Sequence, residues 1–324
     1  MKEVLVQAKE VKKYFPIKKG LLRKTVGYVK AVDEISFQIY KGETLGIVGE
    51  SGCGKSTLGR SIIHLIDITA GKIIFEQCDM SSLDRKSLRS SKKDMQIIFQ
   101  DPYGSLNPRF KVRDIIAEPL IAHNVVDKKA LDGVVLSLMQ DVGLSEEYIN
   151  RYPHEFSGGQ RQRICIARSI ALKPKFIVCD EAVSALDVST QSQILNLLKE
   201  LQKKYGLTYL FISHNLSVVN FISDRVGVMY LGKLMELAKV DEIYKECLHP
   251  YTLALLSAIP EPDPEIKKER IILSGDVPSP ANPPSGCRFH PRCPLCQEIC
   301  KTQEPKFINV GDAHWVACHF PNKK

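Results

Sequence analysis

The chain is predicted to be an α/β protein with a mainly parallel sheet flanked by helices and a small C-terminal extension. Three observations carry this prediction. Short apolar runs alternate with segments whose apolar residues recur at helical spacing, the pattern of strands crossed over by helices. One run, Thr44-Leu45-Gly46-Ile47-Val48, leads straight into a glycine-rich loop that opens a helix. Beyond about residue 240 that alternation gives way to proline and cysteine.

At 324 residues the chain is long for one average domain, which predicts a large domain over 1–240 and an extension over 241–324. Hydrophobic residues at 44% and charged residues at 25% match a folded globular chain and exclude wholesale disorder. No apolar run approaches the roughly 20 residues that cross a bilayer. Lys2, Glu3, Lys9 and Glu10 stand where a signal peptide is apolar, so a cytosolic protein is expected. A balance of 45 basic against 37 acidic side chains, net +8, suits an anionic ligand or a lipid surface but is modest for this length. There is no fixed-period repeat.

The N-terminal 39 residues read as strand, interrupted by the basic insert Lys18-Lys19-Gly20-Leu21-Leu22-Arg23-Lys24, which predicts a hairpin with a solvated tip. After the glycine loop, Leu58, Ile62, Ile63 and Ile66 recur at helical spacing. Three further buried strands are expected over 95–99, 176–179 and 207–213, each ending at a polar residue. Ligands of such sheets bind at the carboxyl ends of the strands. Between 260 and 284, seven of 25 residues are proline, which excludes a packed helix and predicts a semi-rigid extended connection.

Gly49-Glu50-Ser51-Gly52-Cys53-Gly54-Lys55-Ser56-Thr57 is the sequence form of a loop that wraps backbone amides around phosphates. Gly49 and Gly54 permit backbone angles closed to other residues, so successive amides converge on phosphate oxygens at a helix N-terminus. Lys55 is expected along the phosphates, with the Ser56 hydroxyl on Mg²⁺ and Thr57 assisting. The chain is therefore expected to bind ATP. The strand at 176–179 delivers Asp180, suited to hold the metal through water, and Glu181 beside it is assigned to orienting the water that attacks the γ-phosphate.

Phe156-Ser157-Gly158-Gly159-Gln160, followed by Arg161-Gln162-Arg163, resembles the signature of ABC transporter ATPases. A serine hydroxyl, glycine amides and a helix N-terminus make a second anion site. The resemblance implies a P-loop ABC ATPase fold, its mainly parallel sheet accompanied by antiparallel β and helical subdomains, in which this signature meets ATP held by another subunit's glycine loop. It further implies that Gln100 senses the metal and attacking water and links the site to the membrane subunit. By the same resemblance Ser184-Ala185-Leu186-Asp187 crosses the dimer interface, with Asp187 closing it, and His214 contacts the γ-phosphate. Tyr14 and Tyr28 both qualify as the aromatic that stacks on adenine.

Asp101-Pro102-Tyr103-Gly104-Ser105-Leu106-Asn107-Pro108-Arg109 and His249-Pro250-Tyr251-Thr252 resemble the peptide-importer branch, the ATPases of dipeptide and oligopeptide permeases. Cys287, Cys293, Cys296, Cys300 and Cys318 crowd the last 38 residues and point to a local metal site. The tail resembles the branch's segment that carries a 4Fe-4S cluster, which implies Cys287, Cys293, Cys300 and Cys318 as ligands. Cys296 departs from that set; Cys293 and Cys296 form a zinc-like pair that His290, His314 or His319 would complete.

These residues together predict an ATPase subunit on the cytoplasmic face of the membrane, binding Mg-ATP between paired domains to drive a peptide permease. Its expected partners are a second ATPase subunit, identical or paralogous, two transmembrane permease subunits and, indirectly, an external solute-binding protein, with no nucleic acid. Nickel or another small solute is the alternative cargo. A soluble ABC ATPase of translation or DNA repair is a rival, although such proteins usually carry two cassettes or a long coiled-coil insertion. A redox-sensing metal module is a third reading.

Overall fold

The computed structural model describes residues 3–21, 23–260 and 270–322. Lys2, Leu22 of the basic insert, and 261–269 at the start of the proline-rich connection lie outside the described residues. The chain forms two compact units, one of Glu3, 40–43 and 82–212, the other of 4–39, 44–81 and 213–322.

In the first unit, strands Met95–Ile98, Phe176–Asp180 and Thr208–Ile212 pair in parallel, with Ile98 opposite Cys179 and Asp180 opposite Ile212. The last two strands are buried along their whole length, as continuous apolar runs in a covered parallel sheet require. Two expected strands are trimmed at their ends, and the middle one runs one residue further, so that Asp180 closes it. Helix Val188–Tyr205 buries Ile194, Leu195, Leu197, Leu198 and Leu201 on one face and stops at Gly206, whose φ of 65° is the left-handed turn that ends many helices.

The second unit carries an antiparallel sheet in which Lys24–Tyr40, Val4–Lys19, Ala70–Phe75 and Cys78–Asp79 lie side by side. The expected hairpin is its first pair, closed by the bond from the Arg23 amide to the Gly20 carbonyl at 3.1 Å. Beside it, Thr44–Val48 pairs in parallel with Arg225–Tyr230, which pairs antiparallel with Lys233–Lys239. The tail extends that sheet with Trp315–Val316 and Ile308–Asn309. The helix after the glycine loop, Lys55–Ile62, is shorter than its apolar spacing predicts, leaving Ile63 and Ile66 beyond it. His64 takes φ 51° and the Leu65 amide bonds back to the Arg60 carbonyl at 2.8 Å, a closure that ends the helix before the periodicity does.

The tail docks within this unit on an aromatic cluster. Phe289, fully buried, meets Tyr230 edge-on at 5.4 Å between ring centroids and Tyr251 at 5.2 Å. Burying such a ring contributes about 2–3 kcal/mol. The carboxylate of Glu236, itself fully buried, accepts from the amides of Leu248 (2.6 Å) and His249 (3.0 Å) and lies 2.7 Å from His314 Nε2. His249 Nδ1 accepts from the Tyr251 amide at 3.0 Å and so caps helix Pro250–Ser257, with Pro250 in the first turn where its missing N–H costs nothing.

Burial pushes the His249 pKa down to about 4. The unfolded chain protonates this ring near its ordinary value of 6.5, whereas the folded chain keeps it neutral to about 4. Stability is therefore complete above the unfolded value and is lost as pH falls from there toward 4, by up to about 1.4 kcal/mol per pH unit. His249→Asn keeps a capping acceptor without the titration, so its urea midpoint should change less between pH 7 and pH 4.5 than that of the parent. Equal acid losses in the two proteins would remove His249 as the cause.

Candidate nucleotide site and cysteine pocket

The glycine loop joins strand Thr44–Val48 to helix Lys55–Ile62. A Cβ on Gly49 would lie 2.1 Å from the Met229 carbonyl oxygen, and one on Gly54, where φ is 104°, 1.9 Å from that of Ala31. Both glycines are thus required by close backbone approach as well as by conformation. The Cys53 carbonyl accepts from the Gly232 amide at 2.9 Å, which ties the loop to the neighbouring strand's turn. Lys55 is buried and curls over its own loop, donating to the carbonyls of Gly49 (2.8 Å) and Glu50 (3.0 Å). Ser51 and Gly52 at the tip are exposed, and Ser56 and Thr57 are partly buried.

In the first unit, Asp180 is buried at the end of its strand. Glu181 follows with φ 50°, a left-handed backbone unusual for glutamate, and its amide bonds to the Ile212 carbonyl at 3.0 Å. Strain of this sort collects at working sites. Gln100 Nε2 donates to Glu181 Oε2 at 2.9 Å, so two residues 81 positions apart, each singled out from the sequence, meet directly. His214, in the second unit, is exposed just beyond strand Thr208–Ile212.

The signature opens helix Gly158–Ile170 with a reciprocal capping box: the Gln160 amide donates to Ser157 Oγ (3.3 Å) and the Ser157 amide to Gln160 Oε1 (3.0 Å). A Cβ on Gly159 would lie 2.5 Å from Thr190 Cγ2, so only glycine lets this helix start approach the first turn of helix Val188–Tyr205. Asp187 caps that second helix, accepting from the Thr190 amide (2.9 Å) and the hydroxyls of Ser189 and Thr190 (2.7 Å each), which hold its carboxyl well below the usual range. The signature's arginines serve packing: buried Arg161 stacks on the Tyr103 ring at 3.6 Å and donates to the Pro153 carbonyl, while Arg163 bonds to that of Val142.

Cys287, Cys293, Cys300 and Cys318 line one cavity of about 330 Å³, counting space open to solvent, together with His290 and His319. Cys296 is absent from its lining. Burial pushes the thiol of Cys287 up to about 12 and that of Cys293 to about 11, and it raises Cys318 as well. Raised in this way, the thiols of Cys287, Cys293 and Cys318 are protonated at neutral pH. No group of three or more His, Cys, Asp or Glu among the described residues forms a set that would hold a metal as it stands. His314, a candidate zinc ligand, is instead engaged by Glu236. Of the two tyrosines, Tyr14 is partly buried with its hydroxyl donating to Asp33, whereas Tyr28 is half exposed.

Residues 32–184 match the family described as ABC transporter, and 235–300 match the oligopeptide/dipeptide transporter C-terminal region. The chain is 56% identical over 98% of its length to the oligopeptide transport ATP-binding protein AppF of Bacillus subtilis, covering 97% of that protein. The chain belongs to the ABC transporter ATP-binding family, in its oligopeptide/dipeptide branch. A second Bacillus subtilis relative, the putative oligopeptide transport ATP-binding protein YkfD, is 55% identical over 90% of this chain and 89% of its own. Among solved structures, the dimeric ATP-binding cassette MJ0796 bound to ADP and Pi superposes with a TM-score of 0.65 at 28% identity, over 73% of this chain and 99% of its own. That of cbiO1 from Clostridium perfringens, part of the transporter complex cbiONQ, gives 0.64 at 26% identity over 75% and 91%. This ABC protein is an ATPase with the P-loop ABC fold, a mixed sheet with helices.

The sequence reading missed the residues that hold the ABC protein's phosphate loop from outside. The Tyr251 hydroxyl accepts from the Glu50 amide at 3.0 Å, and Arg292 grips the Glu50 carboxylate. Both residues stood inside motifs recognised for other reasons, and their partner is 201 and 242 positions away, so no local pattern pairs them. Gly54→Ala is expected to abolish ATP binding, since the added carbon collides with backbone at a left-handed position that by itself costs on the order of 1–3 kcal/mol. Equilibrium binding of ATP at parental affinity by a folded Gly54→Ala protein would show that the loop tolerates a side chain there.

Proposed function

We propose that this chain is the ATP-hydrolysing subunit that energises import of di- and oligopeptides through an ABC membrane permease. The observation that carries this reading is the C-terminal match over 235–300, in a chain 55–56% identical along nearly its whole length to proteins named for oligopeptide transport. No helix among the described residues is long and apolar enough to cross a membrane, in keeping with an ATPase that attaches to the cytoplasmic face of its permease. We assign nucleotide chemistry to 1–240 and importer-specific contacts to 241–324.

In this reading amides of the loop 49–57, apart from that of Glu50, which Tyr251 holds, cradle the phosphates, and Lys55 swings from its own carbonyls to their oxygens. The Ser56 hydroxyl, the Asp180 carboxylate and the Gln100 amide oxygen are hard donors that fit Mg²⁺. Held there, the ion would supply positive charge that offsets the negative charge of the phosphates. Glu181 orients the attacking water and takes its proton, with Gln100 holding the carboxylate in place. His214 contacts the γ-phosphate. Ser157, Gly158, Gly159 and Gln160 face ATP held by a second ATPase subunit, Asp187 closes that interface, and Tyr14, its ring fixed through Asp33, is preferred over Tyr28 for adenine.

Glu181→Gln is expected to lower turnover at least about a hundredfold while an ATP-bound dimer accumulates. ATPase assays beside size-exclusion with ATP check this, and wild-type turnover would remove the role given to Glu181. Reconstitution with the permease tests the cargo: ATP-dependent uptake of labelled peptide is expected, and uptake of nickel alone would reassign it.

The four thiols that share the tail cavity fit a 4Fe-4S cluster in number and chemistry, since four thiolates are its usual ligands. A cluster would be held by Cys287, Cys293, Cys300 and Cys318, and its bonds to them would tie together chain segments 287–300 and 318. Anaerobically purified protein is expected to absorb in the visible and to carry about four irons per chain. Colourless protein with one zinc would instead favour the Cys293 and Cys296 pair, and Cys300→Ser distinguishes them because only the cluster depends on it.

A further inference from the structure

Glu50 presents a difficulty for a loop that binds triphosphate. It is the second residue of the glycine loop, and its carboxylate puts a negative charge beside amides meant for anions. Within the same compact unit, the tail answers that charge. Arg292 places Nη1 2.7 Å from Glu50 Oε2 and Nη2 3.1 Å from Oε1, a two-point fork. Arg292 is 9% exposed and Glu50 27%, so solvent screens the pair only partly. The carboxylate in turn holds the Arg292 guanidinium above its ordinary pKa. Tyr251, from the helix the tail packs on, anchors the backbone of the same residue through its hydroxyl and the Glu50 amide.

Arg292 is itself held firmly. It closes a short turn, His290–Arg292, whose preceding residue Phe289 is fully buried among aromatic rings. Four residues earlier Arg288, also buried, donates to the Leu231 carbonyl and to Asp33, the carboxylate that fixes Tyr14. One tail segment, running from Cys287 to Cys293, therefore sends an arginine to each of two carboxylates beside the nucleotide-binding residues.

We propose that Arg292 is a positioning residue for ATP binding: it neutralises Glu50 and turns its carboxylate away from the phosphates, making the cysteine-bearing tail part of the nucleotide site. The inference does not depend on what the cysteine pocket holds. Removing the guanidinium leaves the loop carrying an unanswered negative charge, so ATP is repelled. Removing the Glu50 charge as well takes away the need for the arginine.

The test is the equilibrium Kd of N-methylanthraniloyl-ATP, measured on the full-length chain well below the melting transition of each variant. Arg292→Ala is expected to raise Kd about tenfold, in the range of one lost charge-assisted contact. Arg292→Lys, which keeps the charge but loses the fork, should raise it about threefold and serves if the alanine variant does not fold. Adding Glu50→Gln to either variant should return Kd to within about twofold of the parent, a rescue that a purely structural arginine would not show. Unchanged affinity in Arg292→Ala or Arg292→Lys, or a double variant that binds no better than the single, would overturn the proposal.

Discussion

The constraint on which the rest depends is the backbone path of the glycine loop. Its value lies in amides that point at a ligand, and amides left free for a ligand cannot be spent on holding the loop. Apolar packing cannot hold it either, because Ser51 and Gly52 at the tip are exposed. The loop is therefore fixed by its neighbours' backbones: Met229 and Ala31 carbonyls crowd Gly49 and Gly54 to the exclusion of a side chain, and the Gly232 amide takes the Cys53 carbonyl. Lys55 completes the arrangement by satisfying two loop carbonyls with its ammonium, a buried charge stabilised by dipoles.

Much of this was legible in residue order. The strands Thr44–Val48, Phe176–Asp180 and Thr208–Ile212 stand out because a parallel strand covered on both faces needs an unbroken apolar run. The pairing of Gln100 with Glu181 was implicit in two motifs whose strand ends lie on neighbouring parallel strands. Helix ends were less legible: Ile63 and Ile66 keep the spacing, but the fold closes the helix at His64, because side-chain periodicity records burial and not hydrogen bonding. The carboxylate partners of Arg288 and Arg292 left no trace at all. A side-chain pair separated by 255 or 242 positions has no period, and only the folded chain reveals it.

The signature illustrates how one set of residues satisfies a structural and a chemical demand together. Ser157 and Gln160 cap each other's amides, which stabilises the helix by about 1 kcal/mol. Gly159 also lets the helix start come against Thr190, and Asp187 caps the helix on which Thr190 sits. A capping residue loses its backbone partner only if the helix unwinds, so both helix starts are stiff. Stiff helix starts are what an anion site needs, because amide dipoles that have to reorganise on binding lose much of their advantage.

The tail's choice of arginine follows from the same reasoning. Lysine carries the same charge, but its single ammonium cannot meet both oxygens of Glu50 in one plane. The carboxylate would then keep its freedom to rotate toward the loop's anion-binding amides. A planar fork removes that freedom, and the fully buried Phe289, three residues before Arg292, fixes where the fork points. The aromatic cluster under Phe289 and the Glu236 network under His249 thus matter for more than the stability of the extension. They set the position of a cation whose distance to a single carboxylate controls the charge the phosphate loop presents to its ligand.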